Sequence, residues 1–99
     1  MKDLTPTEGA RFLFERASQD DAGARYAVAV YTPSATFEGS AQLGFDGGVV
    51  LAIDAPAELV GAAEMFGKLV ARAAAKLLDD GMPPWPSRVL RWRGPGRGG

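Results

Sequence analysis

The 99-residue sequence contains no cysteine and no histidine. The chain can therefore form no disulfide, and it lacks the nucleophile systems that pair serine or cysteine with histidine. The same two absences exclude zinc sites of the usual nitrogen and sulfur type. For a chain without cysteine, a cytoplasmic location is the expectation.

Long apolar segments are also lacking. No run reaches the roughly 18 apolar residues that a membrane-spanning helix needs, and the polar start, Met1 to Gly9, lacks the apolar core of a signal peptide. Gly94, Gly96 and Gly98 lack the strand-to-helix context of a phosphate-binding loop. We therefore expect a protein that is not an enzyme and that uses no metal, cofactor or small-molecule substrate.

The sequence does contain one long helical pattern, residues 55–81, around which we expect the chain to fold. Asp54 is the predicted N-cap. At the other end, Gly81 suits the left-handed residue that follows a helix, and Pro83 and Pro84 prevent its continuation.

The predicted helix is apolar over more than half of its circumference. Its apolar positions recur at steps of three and four residues and comprise Leu59, Ala62, Ala63, Phe66, Leu69, Val70, Ala73, Ala74, Leu77 and Leu78. One sheet face cannot cover so wide an arc. The pattern therefore predicts a second cover, which is either the C-terminal tail or another subunit.

Small residues form a ridge along one edge of this helix. At four-residue spacing, the ridge consists of Ala63, Gly67, Ala71 and Ala75. Glycine costs about 1 kcal/mol relative to alanine inside a helix, so its presence favours a close approach of two helices. The ridge predicts a dimer interface, and the alternative is an alanine-rich helix without a partner.

The residues before the helix show the patterns of β-strands. Four strands are predicted, at 10–17, 24–32, 35–45 and 49–53. The third alternates apolar and polar residues most regularly, which is typical of an antiparallel sheet with one covered face. Asp46 and Gly47 predict a hairpin, and sequential strands with short turns favour a meander. The fold class predicted is α+β: a two-layer ββββα unit, in which one long helix packs on a four-stranded antiparallel meander.

The chain has the length of a single domain. We expect a flexible arm at 1–8, the sheet within 9–54, the helix at 55–81 and a tail rich in proline, arginine and glycine at 82–99. Trp85 is expected to hold this tail on the core. Residues 87–93 are either a short fifth strand or a binding element, and residues 94–99 are predicted to be disordered.

Charge is distributed unevenly along the chain. Residues 1–87 contain 7 basic and 12 acidic residues, whereas residues 88–99 contain four arginines and no acid. A concentrated group of arginines beside an aromatic residue is the pattern by which proteins bind phosphates and stack on bases.

The first functional hypothesis is therefore a single-stranded DNA- or RNA-binding module. Its predicted tail residues are Arg88, Arg91, Trp92, Arg93 and Arg97. On the uncovered sheet face, Arg11, Arg25 and Tyr31 extend the predicted surface. The ββββα order resembles, in topology alone, the repeat units of the PUR family, which bind single strands and work as dimers.

Two alternatives remain open. The tail could be a structural strand, with Leu90 and Trp92 buried and its arginines paired with Asp79, Asp80 or Glu64. The whole chain could instead be a homodimeric protein-interaction module with no nucleic-acid role, because the wide apolar arc and the small-residue ridge need no ligand chemistry.

Overall fold

The computed structural model of this protein describes residues 8–94. The element order is β1 (Ala10–Gln19), β2 (Gly23–Tyr31), β3 (Thr36–Gly44), β4 (Val49–Ile53), α1 (Ala57–Asp79) and β5 (Arg88–Arg93). All four predicted strands and the helix are present. The tail strand also forms, so the fold is α+β with a five-stranded antiparallel sheet and one long helix.

The first four strands follow one another as the predicted meander. The strand order in the sheet is β4-β3-β2-β1-β5. After the helix, the chain returns to the far edge of the sheet, where β5 pairs antiparallel with β1. The two edge strands are therefore β4 and β5.

The turn between β3 and β4 has the predicted hairpin chemistry. Gly47 has a φ of 88°, a left-handed conformation that glycine adopts without steric cost. The amide of Gly47 donates to the carbonyl of Gly44 at 3.0 Å, and the amide of Gly44 donates to the carbonyl of Gly48 at 3.0 Å. This pattern is a type I turn followed by a glycine bulge, which sets the register of β4 on β3.

The helix ends as its sequence predicts and begins differently. Gly81 has a φ of 76°, its amide donates to Leu78, and the amide of Met82 donates to Leu77. These two bonds form a Schellman motif. The predicted N-cap Asp54 is wrong, because Pro56 occupies that position and no side chain caps the helix. Asp54 lies two residues before Pro56, too far from the amides of the first helical turn to cap them.

The helix covers one face of the sheet. On that face lies the core, in which the largest fully buried side chains are Trp85, Tyr26, Phe12, Phe14, Leu43 and Val30. The opposite side of the sheet carries no helix or strand from residues 8–94, and we call it the open face. In the described part of the chain, no helix is long and apolar enough to cross a membrane.

Three predictions concern residues beyond the described range. Most of the arm at 1–8 lies outside residues 8–94, as do the end of the tail at 95–99 and the candidate site residue Arg97.

Candidate functional site

The segment between the helix and β5 is held on the core by Trp85. This side chain is only 2% exposed. Its ring lies 5.0 Å from that of Phe45 and 6.4 Å from that of Tyr26, measured between centroids. The prediction that Trp85 holds the tail on the core is therefore confirmed.

Three hydrogen bonds attach the same segment to β1 and β2. The guanidinium Nη1 of Arg16 donates to the carbonyl of Trp85 at 2.6 Å, and the amide of Arg16 donates to the carbonyl of Ser87 at 2.9 Å. The hydroxyl of Tyr26 donates to the carbonyl of Pro86 at 2.7 Å. Because these bonds come directly before β5, they determine where the tail strand enters the sheet.

The buried Tyr26 makes this attachment sensitive to alkaline pH. Burial raises the pKa of Tyr26 to about 12 from its ordinary 10.0, and the charge of the nearby Arg16 opposes part of that rise. A raised folded-state pKa means that the stabilisation is complete below pH 10 and is lost as the pH approaches 12. We expect the free energy of unfolding to fall across this interval, as measured by urea denaturation at a series of pH values. The variant Tyr26→Phe should lose this part of the pH dependence, and an unchanged alkaline profile in that variant would contradict the assignment.

The pairing of β5 with β1 divides the tail residues between the two sides of the sheet. Trp92 pairs with Arg11 and Leu90 pairs with Leu13, so these four side chains share the open face. Arg88 pairs with Glu15 on the same side.

The two remaining tail arginines point the other way. Arg91 pairs with Phe12 and Arg93 pairs with Ala10, which places both arginines on the helix side. The structure therefore places Arg88 and Trp92 on the same face as the predicted sheet residues and separates Arg91 and Arg93 from them.

An aromatic–arginine–aromatic row crosses one end of the open face. Tyr31 pairs with Arg11, and Arg11 pairs with Trp92 on the next strand. Since neighbouring strands lie about 4.8 Å apart, the two aromatic residues are roughly 10 Å apart with the arginine between them. Trp92 is 52% exposed, and its indole Nε1 donates to the carbonyl of Glu8 at 3.2 Å. The ring is thus positioned by the chain and still accessible.

Arg25 lies apart from this row. It is six residues from Tyr31 along β2, which corresponds to about 20 Å in a strand. Arg25 instead lines a wide depression of about 780 Å³ at the opposite end of the sheet, where Asp20 and Asp46 are also found. Arg88 is also outside the row, four residues from Trp92 along β5, but Arg25 is the predicted site residue of the open face that lies furthest from it.

A hollow in the open face extends across β1, β2 and β3 next to Tyr31. It has a volume of about 290 Å³, and its lining includes Leu13, Glu15, Ala27, Ala29, Tyr31 and Glu38. The alanines leave space because their side chains are small. Leu13 is only 6% exposed although it belongs to the open face, so the hollow has an apolar floor with a carboxylate on either side.

The arginines of the open face have no carboxylate partner in the described structure. Within residues 8–94, the one ion pair joins Lys76 to Asp80 at 4.0 Å along the helix. Within residues 8–94, no tail arginine forms an ion pair with Asp79, Asp80 or Glu64, so the ion pairs of that alternative are not observed. Leu90 and Trp92, which that alternative buries, are both exposed, and Val89 is the buried residue of β5.

The ridge predicted as a dimer interface packs within the chain. Ala63 and Ala71 are fully buried, Gly67 is buried and Ala75 is half-buried. A Cβ at Gly67 would lie 3.3 Å from Val49 and 3.4 Å from Leu43. The close approach that the glycine suggested is thus made between the helix and its own sheet. A second helix could reach the ridge only if α1 left β3 and β4.

The wide apolar arc of the helix is covered in part by the tail. An apolar groove of about 190 Å³ separates the helix from the chain that follows it, and its lining includes Leu69, Ala73, Leu77, Pro83, Pro84 and Val89. Leu69 and Leu78 remain half-exposed. The sequence predicted a second cover, and residues 82–89 supply part of it.

Two features of the surface emerge only from the folded chain, namely the Tyr31–Arg11–Trp92 row and the hollow beside it. Sequence patterns identified the three residues singly, but their adjacency depends on the pairing of β5 with β1. Comparison of this protein with known proteins gives no match to a protein-family model, to a curated protein or to a solved structure.

Proposed function

We propose that this protein binds single-stranded nucleic acid on the open face, at the Tyr31–Arg11–Trp92 row. The observation that carries the proposal is the placement of an arginine between two aromatic residues on an uncovered sheet. Exposed aromatic rings stack on bases of any sequence, and arginine neutralises phosphates, so the two residue types together suit a single strand.

The charges around the row suit an oriented strand. Arg11 lies within the row itself, whereas Glu15, four residues further along β1, and Glu38 on β3 line the hollow beside it. Phosphates are attracted to Arg11 and repelled from the two carboxylates. Carboxylates accept hydrogen bonds from the amino groups of bases, so a base next to Tyr31 would enter the hollow while its phosphate faces Arg11.

The test compares variants on the two sides of the sheet. Trp92→Ala is expected to weaken binding of a labelled mixed-sequence single-stranded DNA by about 5- to 150-fold, because a stacked base contributes about 1–3 kcal/mol. The measurement is fluorescence anisotropy at low salt. Arg11→Ala should also weaken binding and should reduce the salt slope by about 0.7, the value for one phosphate contact to a single strand.

The matched control is Arg93→Ala. It removes the same charge from the chain, and it lies on the helix side of β5, one residue from Trp92. We expect it to change affinity much less than Arg11→Ala does. Equal losses from both arginines would mean that binding depends only on the total charge of the protein, and the open-face site would then be wrong.

A protein-interaction module without a nucleic-acid role is the second candidate function. The observation that favours it is the apolar groove between the helix and residues 83–89, together with the exposed Leu69. This candidate predicts no binding of the oligonucleotide at any salt concentration, so the same anisotropy titration separates the two.

A further inference from the structure

The two edges of the sheet have opposite chemical character. The outer strand β5 has the sequence RVLRWR, in which three of six residues are arginine. The other outer strand, β4, has the sequence VVLAI and carries no charge. Charged side chains on an edge strand oppose pairing with another chain, and an uncharged apolar edge leaves such pairing available.

The backbone of β4 presents a regular set of unpaired groups. Because Gly44 donates to Gly48, the next hydrogen-bonded pairs in this antiparallel ladder are Gln42 with Val50 and Ser40 with Ala52. The amides and carbonyls of Val49, Leu51 and Ile53 therefore point away from β3. Within residues 8–94, none of these three residues has another backbone or side-chain hydrogen-bond partner.

This edge is complementary to itself. If a second copy of β4 lies antiparallel beside the first, with Leu51 opposite Leu51 of that copy, Val49 lies opposite Ile53 and every outward-pointing group meets another. Because successive side chains alternate between the two faces of a strand, this pairing also places corresponding faces of the two sheets on the same side. Val50, which is 71% exposed, then lies opposite Ala52 on the open face, so apolar side chains meet apolar side chains throughout.

We propose that a second copy of this chain pairs with β4 about a two-fold axis that passes between the two copies of Leu51. This pairing joins the two five-stranded sheets into one sheet of ten strands. The axis is perpendicular to the sheet, so both helices lie on one side and both open faces on the other. This interface differs from the small-residue ridge, which is occupied within the chain. The proposal is independent of nucleic-acid binding, because β4 contributes no residue to the Tyr31–Arg11–Trp92 row.

The test uses charge at the two exposed positions of the strand. In the proposed register, Val50→Lys/Ala52→Lys places lysine opposite lysine at each cross-strand contact, and Val50→Glu/Ala52→Glu does the same with glutamate. By light scattering, the wild type is expected at twice the chain mass of 10.4 kDa. Each double variant alone is expected at the mass of one chain, and an equimolar mixture is expected to regain the mass of two.

The control moves the same charges one strand inward. Gln42 and Ser40 are the cross-strand neighbours of Val50 and Ala52 and share their face. The variant Gln42→Lys/Ser40→Lys should keep the wild-type mass, and far-ultraviolet circular dichroism checks that all variants fold. A monomeric wild type, a dimeric lysine variant, a dissociated control or a mixture that stays monomeric would each overturn the proposal. None of these outcomes depends on the oligonucleotide titration.

Discussion

Replacement of Trp85 by alanine is expected to lower the free energy of unfolding by about 3–5 kcal/mol, the usual cost of removing a fully buried large aromatic side chain. Trp85 contacts Phe45 and Tyr26, so the loss affects both the tail and the end of the sheet. Domains of this size are stable by only about 5–15 kcal/mol, and the variant should therefore be close to unfolding. Urea denaturation followed by circular dichroism measures the change.

The second tryptophan supplies the control. Trp92 is half-exposed on the open face, and Trp92→Ala should change the free energy of unfolding far less than Trp85→Ala. Similar losses from the two substitutions would contradict the assigned roles of anchor and surface residue.

A finer comparison uses Trp85→Phe. The indole Nε1 of Trp85 is buried without a hydrogen-bond partner among the described residues. An unpaired buried donor costs about 1–3 kcal/mol, and phenylalanine removes that donor while it keeps an aromatic ring. We expect Trp85→Phe to be much less destabilising than Trp85→Ala.

The same substitution at two glycines of the helix should change stability in opposite directions. Gly67→Leu is expected to destabilise the protein by about 1–3 kcal/mol or more, because overpacking forces the helix away from the sheet. A Cβ at this position already lies 3.3 Å from Val49, and the remaining leucine atoms have no space. Thermal and urea denaturation both report the loss.

Gly61→Leu is the matched control in the same helix. A Cβ at Gly61 meets no atom within 4 Å, and the position is exposed. Leucine should therefore stabilise the protein here by about 0.5–1 kcal/mol through helix propensity alone. If Gly67→Leu were also neutral or stabilising, the close packing of the helix on β3 and β4 would be wrong.

Local patterns were sufficient for most of the fold. The alternation of the strands, the Asp46-Gly47 turn and the Gly81 helix end each depend on residues close together in the chain, and all three appear as predicted. The helix start was less predictable, because Asp54 has the right side chain for a cap and lies two residues too early.

The small-residue ridge shows where a local pattern is ambiguous. Spacing along a helix indicates that something approaches Gly67 closely, but it contains no information about which element that is. Its neighbours, Leu43 and Val49, are more than 15 residues away in the chain. The partner of the ridge therefore depended on the sheet register.

The sequence alone determined the composition of the candidate site, since the arginines, Tyr31 and Trp92 are readable as residues suited to phosphates and bases. Only the tertiary structure decided which of them lie together. A one-residue change of register reverses the side of every side chain in a strand. The pairing of Trp92 with Arg11 consequently placed Arg88 and Trp92 on the open face and Arg91 and Arg93 on the other, a division that depends on contacts between residues about 80 positions apart.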